Sequence, residues 1–142
     1  MKLRQNGLMP LGSTSIAKDI VDLHTVAFGF QRSLSMTEHR VKERMKDKRY
    51  ESYGYVEDGV LVGFFYVFAE SIFGPKQIEA FCVSPWKRGK GIASIMLRFA
   101  LNKYRLYDFH LTVALENVAA RGLYKKFGFN ETYGLNMVRE GK

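Results

Sequence analysis

The sequence predicts a mixed α/β domain, and three observations carry that prediction. Asp58-Gly59 lies between two runs rich in Val, Tyr and Phe in "ESYGYVEDGVLVGFFYVFAES". This is the signature of a two-residue hairpin, because a type I′ turn needs positive φ at both central residues. Apolar residues recur at helical spacing in two N-terminal stretches and again from 91 to about 103. Strand-like segments at 77–83 and 109–115 flank that last helix. A strand–helix–strand unit of this kind requires a parallel pair joined by a right-handed crossover.

The elements follow in order. In "STSIAKDIVDLHTVAF", Ile16, Ile20, Leu23 and Ala27 share a helical face, and Ser13 or Thr14 can cap it. In "SMTEHRVKERMKDKRY", Ser35 and Glu38 have capping-box spacing. Only Met36, Val41 and Met45 mark an apolar stripe there, so that helix is expected to be mostly solvated. After the hairpin, "QIEAFCVSP" reads as a strand stopped by Pro85. The third helix carries Ile92, Ile95, Met96, Phe99 and Ala100 on its apolar side. "DFHLTVAL" is a strand, and a short helix begins at Asn117, with Gly128 a natural stop beyond it. "LNMVRE" is a last strand.

The 142 residues contain no repeat, low-complexity tract or linker, so a single domain over 1–142 is expected. A 46% hydrophobic content can fill a core and argues against disorder. No run is long and apolar enough for a membrane helix, and the basic N-terminus lacks the apolar stretch of a secretory signal. The one cysteine, Cys82, has no partner for an intramolecular disulfide, which favours a reducing, cytoplasmic setting. One cysteine and three scattered histidines offer no zinc-ligand spacing, so no metal is expected. The net charge of +8 raises the local concentration of anionic partners without choosing among nucleic acid, lipid and phosphorylated small molecules.

The segment "WKRGKGIASIML" narrows that choice. Arg88, Gly89, Lys90 and Gly91 lie between the end of a strand and the start of a helix. Glycines let the backbone approach a ligand, and a helix N-terminus offers unpaired N–H groups with a partial positive charge. The combination suits a phosphate or pyrophosphate, with Arg88 and Lys90 expected to add charge at its rim. The spacing matches neither the P-loop nor the dinucleotide fingerprint. Read locally, an ordinary strand–helix turn remains the alternative.

Two motifs occur in order. Arg88, Gly91 and Ala93 follow Val83 and Pro85; Asn117, Ala120, Leu123, Tyr124, Gly128 and Phe129 come later. They resemble the two signatures of the GNAT superfamily of acyl-CoA-dependent N-acetyltransferases, and the likeness extends over roughly residues 50 to 133. The resemblance implies a GNAT-like mixed α/β fold: a mostly antiparallel sheet of about six or seven strands with about four helices. A splayed parallel strand pair would hold the cofactor. It further implies that the amides from Arg88 through Gly89, Lys90, Gly91 and Ile92 to Ala93 hold the pyrophosphate of acetyl-CoA, while Phe81, Cys82 and Val83 bond the pantetheine arm through their backbone. Asn117 would hold a cofactor amide, cap its helix, or do both. The implied reaction is direct acetyl transfer to a primary amine of a small molecule or peptide in a ternary complex. Dimers are common among such enzymes.

In that reaction the acceptor, with a pKa of roughly 10, must lose a proton, and the leaving thiolate benefits from one. By resemblance Tyr124 serves the sulfur. Alternation places Gln77, Glu79, Phe81 and Val83 on one strand face, and a carboxylate there is costly unless paired or functional. Glu79 is therefore the candidate base, with Glu70 and Glu116 as alternatives. The same alternation puts Cys82 opposite Glu79, as a buried small residue rather than a nucleophile. His24 and His110 read as structural. Lys125 and Lys126 either reach the cofactor's 3′-phosphate or are solvated. The resemblance puts the acceptor near the loop "GFQRSLS", with Phe28 and Phe30 able to line a pocket. The cations of the second helix either border that pocket or form a bare solvated face. A non-catalytic acyl-CoA-binding or sensing domain and a basic nucleic-acid-binding module are the competing readings.

Overall fold

A computed structural model describes residues 6–142. In chain order its elements are β1 (Gly7–Pro10), α1 (Ala17–Phe28), α2 (Glu38–Lys46), β2 (Tyr50–Glu57), β3 (Val60–Phe68), β4 (Lys76–Val83), α3 (Ile92–Lys103), β5 (Phe109–Thr112), α4 (Val118–Lys126), β6 (Asn130–Glu131) and β7 (Asn136–Arg139). The strands form one seven-stranded sheet in the order β1-β2-β3-β4-β5-β7-β6. Every pairing is antiparallel except β4 with β5, as a β4–α3–β5 crossover demands. Among the described residues no helix is long and apolar enough to cross a membrane.

The hairpin turn is as the Asp-Gly signal requires. Asp58 and Gly59 have φ of 51° and 78°, and Glu57 pairs with Val60. Edge strand β1, which the sequence does not announce, ends at Pro10, where no neighbour on the open side needs its missing N–H. Ser13 caps a short 3₁₀ turn, Thr14–Ile16, that runs directly into α1. The cap of α2 departs from expectation. A 3₁₀ turn at Gln31–Ser33 and the Met36 N–H bond to Ser33 O take the chain past Ser35 before the helix begins. Thr37, with extended backbone, accepts instead from Arg40 N at 3.1 Å. On α3, Ile95 is exposed, and Leu97 and Leu101 complete the buried stripe with Ile92, Met96 and Ala100.

Two apolar layers sandwich the sheet. One contains Phe65, Ile78, Val83, Met96, Leu97, Phe109, Leu111 and Tyr124. The other contains Ile16, Ile20, Leu23, Val41, Phe64, Tyr66 and Cys82. On the second face Arg44 of α2 lies 5.4 Å from the ring centres of both Tyr50 and Tyr66, so this cation covers the sheet rather than pointing away from it.

The strand β4 contains a bulge that changes its pattern. Tyr66 faces Glu79 and Phe64 faces Cys82, so Ala80 and Phe81 together oppose Phe65. Ala80 takes φ of 53°, a conformation that costs a residue with a Cβ roughly 1 kcal/mol. The extra residue corrects the expected alternation. Glu79 lies on the Tyr66 and Cys82 face, whereas Phe81 and Val83 belong to the opposite layer. Regular alternation assumes an unbroken ladder, and this ladder is broken between the two halves of the strand.

Thr37→Ala is expected to lower stability by about 1 kcal/mol, whereas Ser35→Ala should change it little. Urea denaturation midpoints of the two variants check the reassigned cap.

Candidate active site

The parallel strands β4 and β5 pair at only two positions, Lys76 with Phe109 and Gln77 with His110. Beyond them the strands diverge, as a splayed pair should. Backbone groups on the facing edges then have no ladder partner, a state tolerated only where a ligand or water can meet them. A cleft of about 1350 Å³ opens along this gap.

At one end the cleft meets the loop between β4 and α3. Gly89 and Gly91 have φ of 78° and 83°, and a Cβ built on either would meet nothing within 4 Å. Gly91 is the N-cap of α3, and no side chain caps that helix. The first amides of α3 therefore face open space behind two residues that only glycine accommodates without strain. These features fit a pyrophosphate-bearing ligand.

The two cations expected at the rim are placed differently from one another. The Arg88 guanidinium turns inward: Nε donates to Val83 O at 3.2 Å and Nη2 to Ala27 O at 3.1 Å. It ties the end of β4 to the C-terminus of α1, because carbonyls left open at strand and helix ends attract a planar cation. Lys90 is exposed and lies outside the cleft lining. The remaining expected residues, Phe81, Cys82, Val83, Gly89, Gly91, Ile92, Ala93, Asn117, Tyr124 and Glu79, all line the one cleft, as does Arg88.

Asn117 accepts from Ala120 N at 3.2 Å and so caps α4 from the cleft wall. One helical stretch further on, the Tyr124 ring packs 5.9 Å from Phe81 and 5.6 Å from Phe129, measured between ring centres. Its hydroxyl has no hydrogen-bond partner among the described residues. Burial, with a smaller contribution from Cys82, raises its pKa well above the ordinary tyrosine value, so the phenol stays protonated at neutral pH.

Three carboxylates were candidates for a base, and their surroundings separate them. Glu70 is exposed, bonded to Arg49 at 3.3 Å, and outside the cleft. Glu116 lines the cleft but is held by Arg32 at 2.5 Å, and its own backbone and Arg32 lower its pKa. Glu79 lines the cleft with neither an ion pair nor a hydrogen bond among the described residues. Burial raises its pKa, and Arg44 only partly opposes the shift.

Burial also pushes the Cys82 thiol up to about 12, which removes the thiolate a nucleophile would need. His24 Nδ1 and Ser33 Oγ are hydrogen-bonded at 2.6 Å, the structural partner expected for this residue, and His24 also forms part of the cleft wall. Lys125 is paired with Glu131 at 3.0 Å, and neither it nor Lys126 reaches the cleft. Arg32 is one of the lining residues that sequence reasoning did not single out. Its partner lies 84 positions away, and no local pattern links the two.

The sequence profile of the acetyltransferase (GNAT) family matches residues 17–129. The chain belongs to this family. A search of curated proteins by sequence finds no significant match. Similar solved structures include the ribosomal-protein-S18-alanine N-acetyltransferase from Escherichia coli, at 19% identity and a TM-score of 0.77, covering 94% of this chain and 91% of that one. The PaiA N-acetyltransferase from Thermoplasma acidophilum, solved in complex with coenzyme A, is 14% identical with a TM-score of 0.77, covering 94% and 98%. A spermidine N-acetyltransferase SpeG chimera from Vibrio cholerae and hSSAT is 18% identical with a TM-score of 0.71, covering 93% and 94%. At these identities the likeness establishes a shared GNAT fold.

Proposed function

We propose that this protein is an N-acetyltransferase of the cytoplasm that moves an acetyl group from acetyl-CoA to a primary amine by direct transfer. The observation that carries the reading is the convergence of three features on one cleft. They are the uncapped α3 N-terminus behind Gly89 and Gly91, the unpaired edges of β4 and β5, and the free Tyr124 hydroxyl.

Bound acetyl-CoA would supply an activated thioester. The amides after Gly89 and Gly91 hold its pyrophosphate, with charge from the helix end. The exposed backbone at Phe81, Cys82 and Val83 pairs with its pantetheine amides as a missing strand would. Asn117, at the start of α4, sets the pitch of the helix that delivers Tyr124.

Glu79 removes the proton that keeps the acceptor an ammonium, directly or through a water. Its pKa, raised by burial, makes it a better proton acceptor than an ordinary carboxylate. The amine nitrogen would then bond to the carbonyl carbon as the carbon–sulfur bond breaks, and the second proton that nitrogen sheds on becoming an amide would end on the departing sulfur as the free thiol. Tyr124, protonated because it is buried, offers its O–H to the departing sulfur. The inert Cys82 thiol argues for this direct route over a covalent acetyl-cysteine.

The test is release of free thiol from acetyl-CoA over a panel of amines. Tyr124→Phe is expected to lower kcat by about 10- to 100-fold while acetyl-CoA affinity stays close to that of the wild type. An equal loss of both would sink its assignment to the sulfur. Gly91→Val combines a disfavoured φ with a side chain in the open cradle, so calorimetric titration should detect no acetyl-CoA binding in that variant. For Glu79→Gln, kcat should fall about 100-fold or more. In the wild type, kcat/KM should decline as pH falls through the pKa of Glu79, which lies above the ordinary carboxylate value. That acidic limb should vanish from the pH profile of the variant.

A further inference from the structure

Three loops border the cleft, and each presents large apolar side chains to solvent. The loop between α1 and α2 carries Phe30, 71% exposed, and Leu34. The connection from β5 into α4 carries Leu115, and the first residue of α4 is Val118, both exposed. The loop between β6 and β7 carries Tyr133, 88% exposed, and Leu135. Short contacts bring the loops together: Arg32 to Glu116 at 2.5 Å, Val113 N to Leu135 O at 3.0 Å, and Thr112 Oγ1 to Asn136 Oδ1 at 3.1 Å. These apolar side chains lie outside the cleft lining, but their chain neighbours Arg32, Glu116, Thr132 and Asn136 line it, so the apolar rim adjoins the space where transfer is proposed. Exposed apolar groups gathered at one opening mark a surface that meets another molecule.

Charge narrows the partner. The carboxylates lining the cleft are Glu79 and Glu116. Glu116 is already neutralised by Arg32, which leaves Glu79 as the one acid in the lining free to meet a cation. A polycationic acceptor needs several acids, one for each ammonium it desolvates. Here it would find one acid and an apolar rim on a chain of net charge +8. An acceptor with one ammonium and apolar groups branching close to it fits better. The N-terminus of an extended polypeptide has that form: its first side chain leaves the same carbon as the amine, and the next leaves on the opposite side. A lysine amine instead stands on an unbranched stem, away from neighbouring side chains.

We infer that the acceptor is a polypeptide N-terminus with apolar side chains in its first positions, and that the Arg32–Glu116 ion pair across the cleft excludes polycationic amines. The inference rests on the acetyltransferase reading above. Arg32 is then a specificity-determining residue. It cancels a carboxylate that would otherwise attract a second ammonium, and it holds two apolar loops side by side.

The experiment measures kcat/KM by thiol release for five acceptors. These are a peptide with an apolar N-terminus, the same peptide with Ser and Asp in its first positions, an N-terminally blocked peptide with one internal lysine, spermidine, and phenethylamine. The apolar peptide should be the best acceptor, about tenfold above the Ser/Asp peptide, as burial of one apolar side chain would give. Arg32→Gln should raise the spermidine-to-peptide ratio of kcat/KM about two- to fivefold, the scale of one exposed charge interaction. Phe30→Ser combined with Leu34→Ser should lower kcat/KM for the apolar peptide about tenfold, with the melting-temperature rise on adding acetyl-CoA retained. Preference for spermidine, for the blocked lysine peptide or for phenethylamine would overturn the inference, as would an unmoved ratio in Arg32→Gln. Stabilisation by acetyl-CoA without transfer to any peptide would overturn the acceptor assignment alone. Neither stabilisation nor transfer would remove the acetyltransferase reading itself.

Discussion

The parting of β4 from β5 after two paired residues is the constraint on which the rest of the structure depends. A parallel pair continued along both strands would close the cleft and satisfy its backbone internally. Two features keep it open. The bulge at Ala80 and Phe81 bends β4, with Ala80 in a left-handed conformation. The rings of Phe65, Phe81, Tyr124 and Phe129 then form a chain of aromatic contacts with centres 5.6 to 5.9 Å apart, filling the layer below the gap. The unmade ladder is therefore replaced by packing on one side and left available to a ligand on the other.

The bulge also decides which side chains meet. Without it, Glu79 would share a face with Phe81 and lie against α3 and α4. With it, Glu79 joins Tyr66 and Cys82 on the face covered by α1 and α2, where Arg44 and His24 also lie. The cleft therefore receives its carboxylate from one layer and its phenol from the other. The shifts of the two groups share one cause. Burial disfavours an anion at either position, so the carboxyl gains affinity for a proton and the phenol keeps its own. In the proposed reaction these are the states a base and a hydrogen-bond donor require.

Arg88 shows how one motif position serves two parts of the cleft. Its backbone belongs to the glycine loop before α3, and its guanidinium bonds the end of β4 and the last turn of α1. The loop suited to an anion is thereby fixed to the last turn of α1. Arg32 and Glu116 join two other parts of the cleft wall in a similar way, but through an exposed pair. Such a pair adds little stability and acts mainly through the charge it cancels. Most of the described cations thus lie outside the cleft, whose lining pairs Arg32 with Glu116.

By itself the sequence determined what depends on neighbours along the chain. The Asp58-Gly59 turn, the glycines before α3, the Asn117 cap and the stop at Gly128 are local conformational demands, and each is found where its residues put it. The order of strands and helices followed from periodicity, and the crossover between β4 and β5 from their sequence of elements. The tertiary structure decided what depends on partners distant in sequence. The faces of Glu79 and Cys82 turned on a bulge against Phe65 that no residue in β4 announces. The inward turn of Arg88 needed the carbonyl of Ala27, brought close only by packing. Thr37 displaced Ser35 as a cap because the preceding 3₁₀ turn changed the path of the chain. The pairing of Arg32 with Glu116 arose from two loops that the sheet sets side by side. Short-range sterics and hydrogen bonding are written in consecutive residues, whereas register, burial and charge pairing come into being only when the layers close.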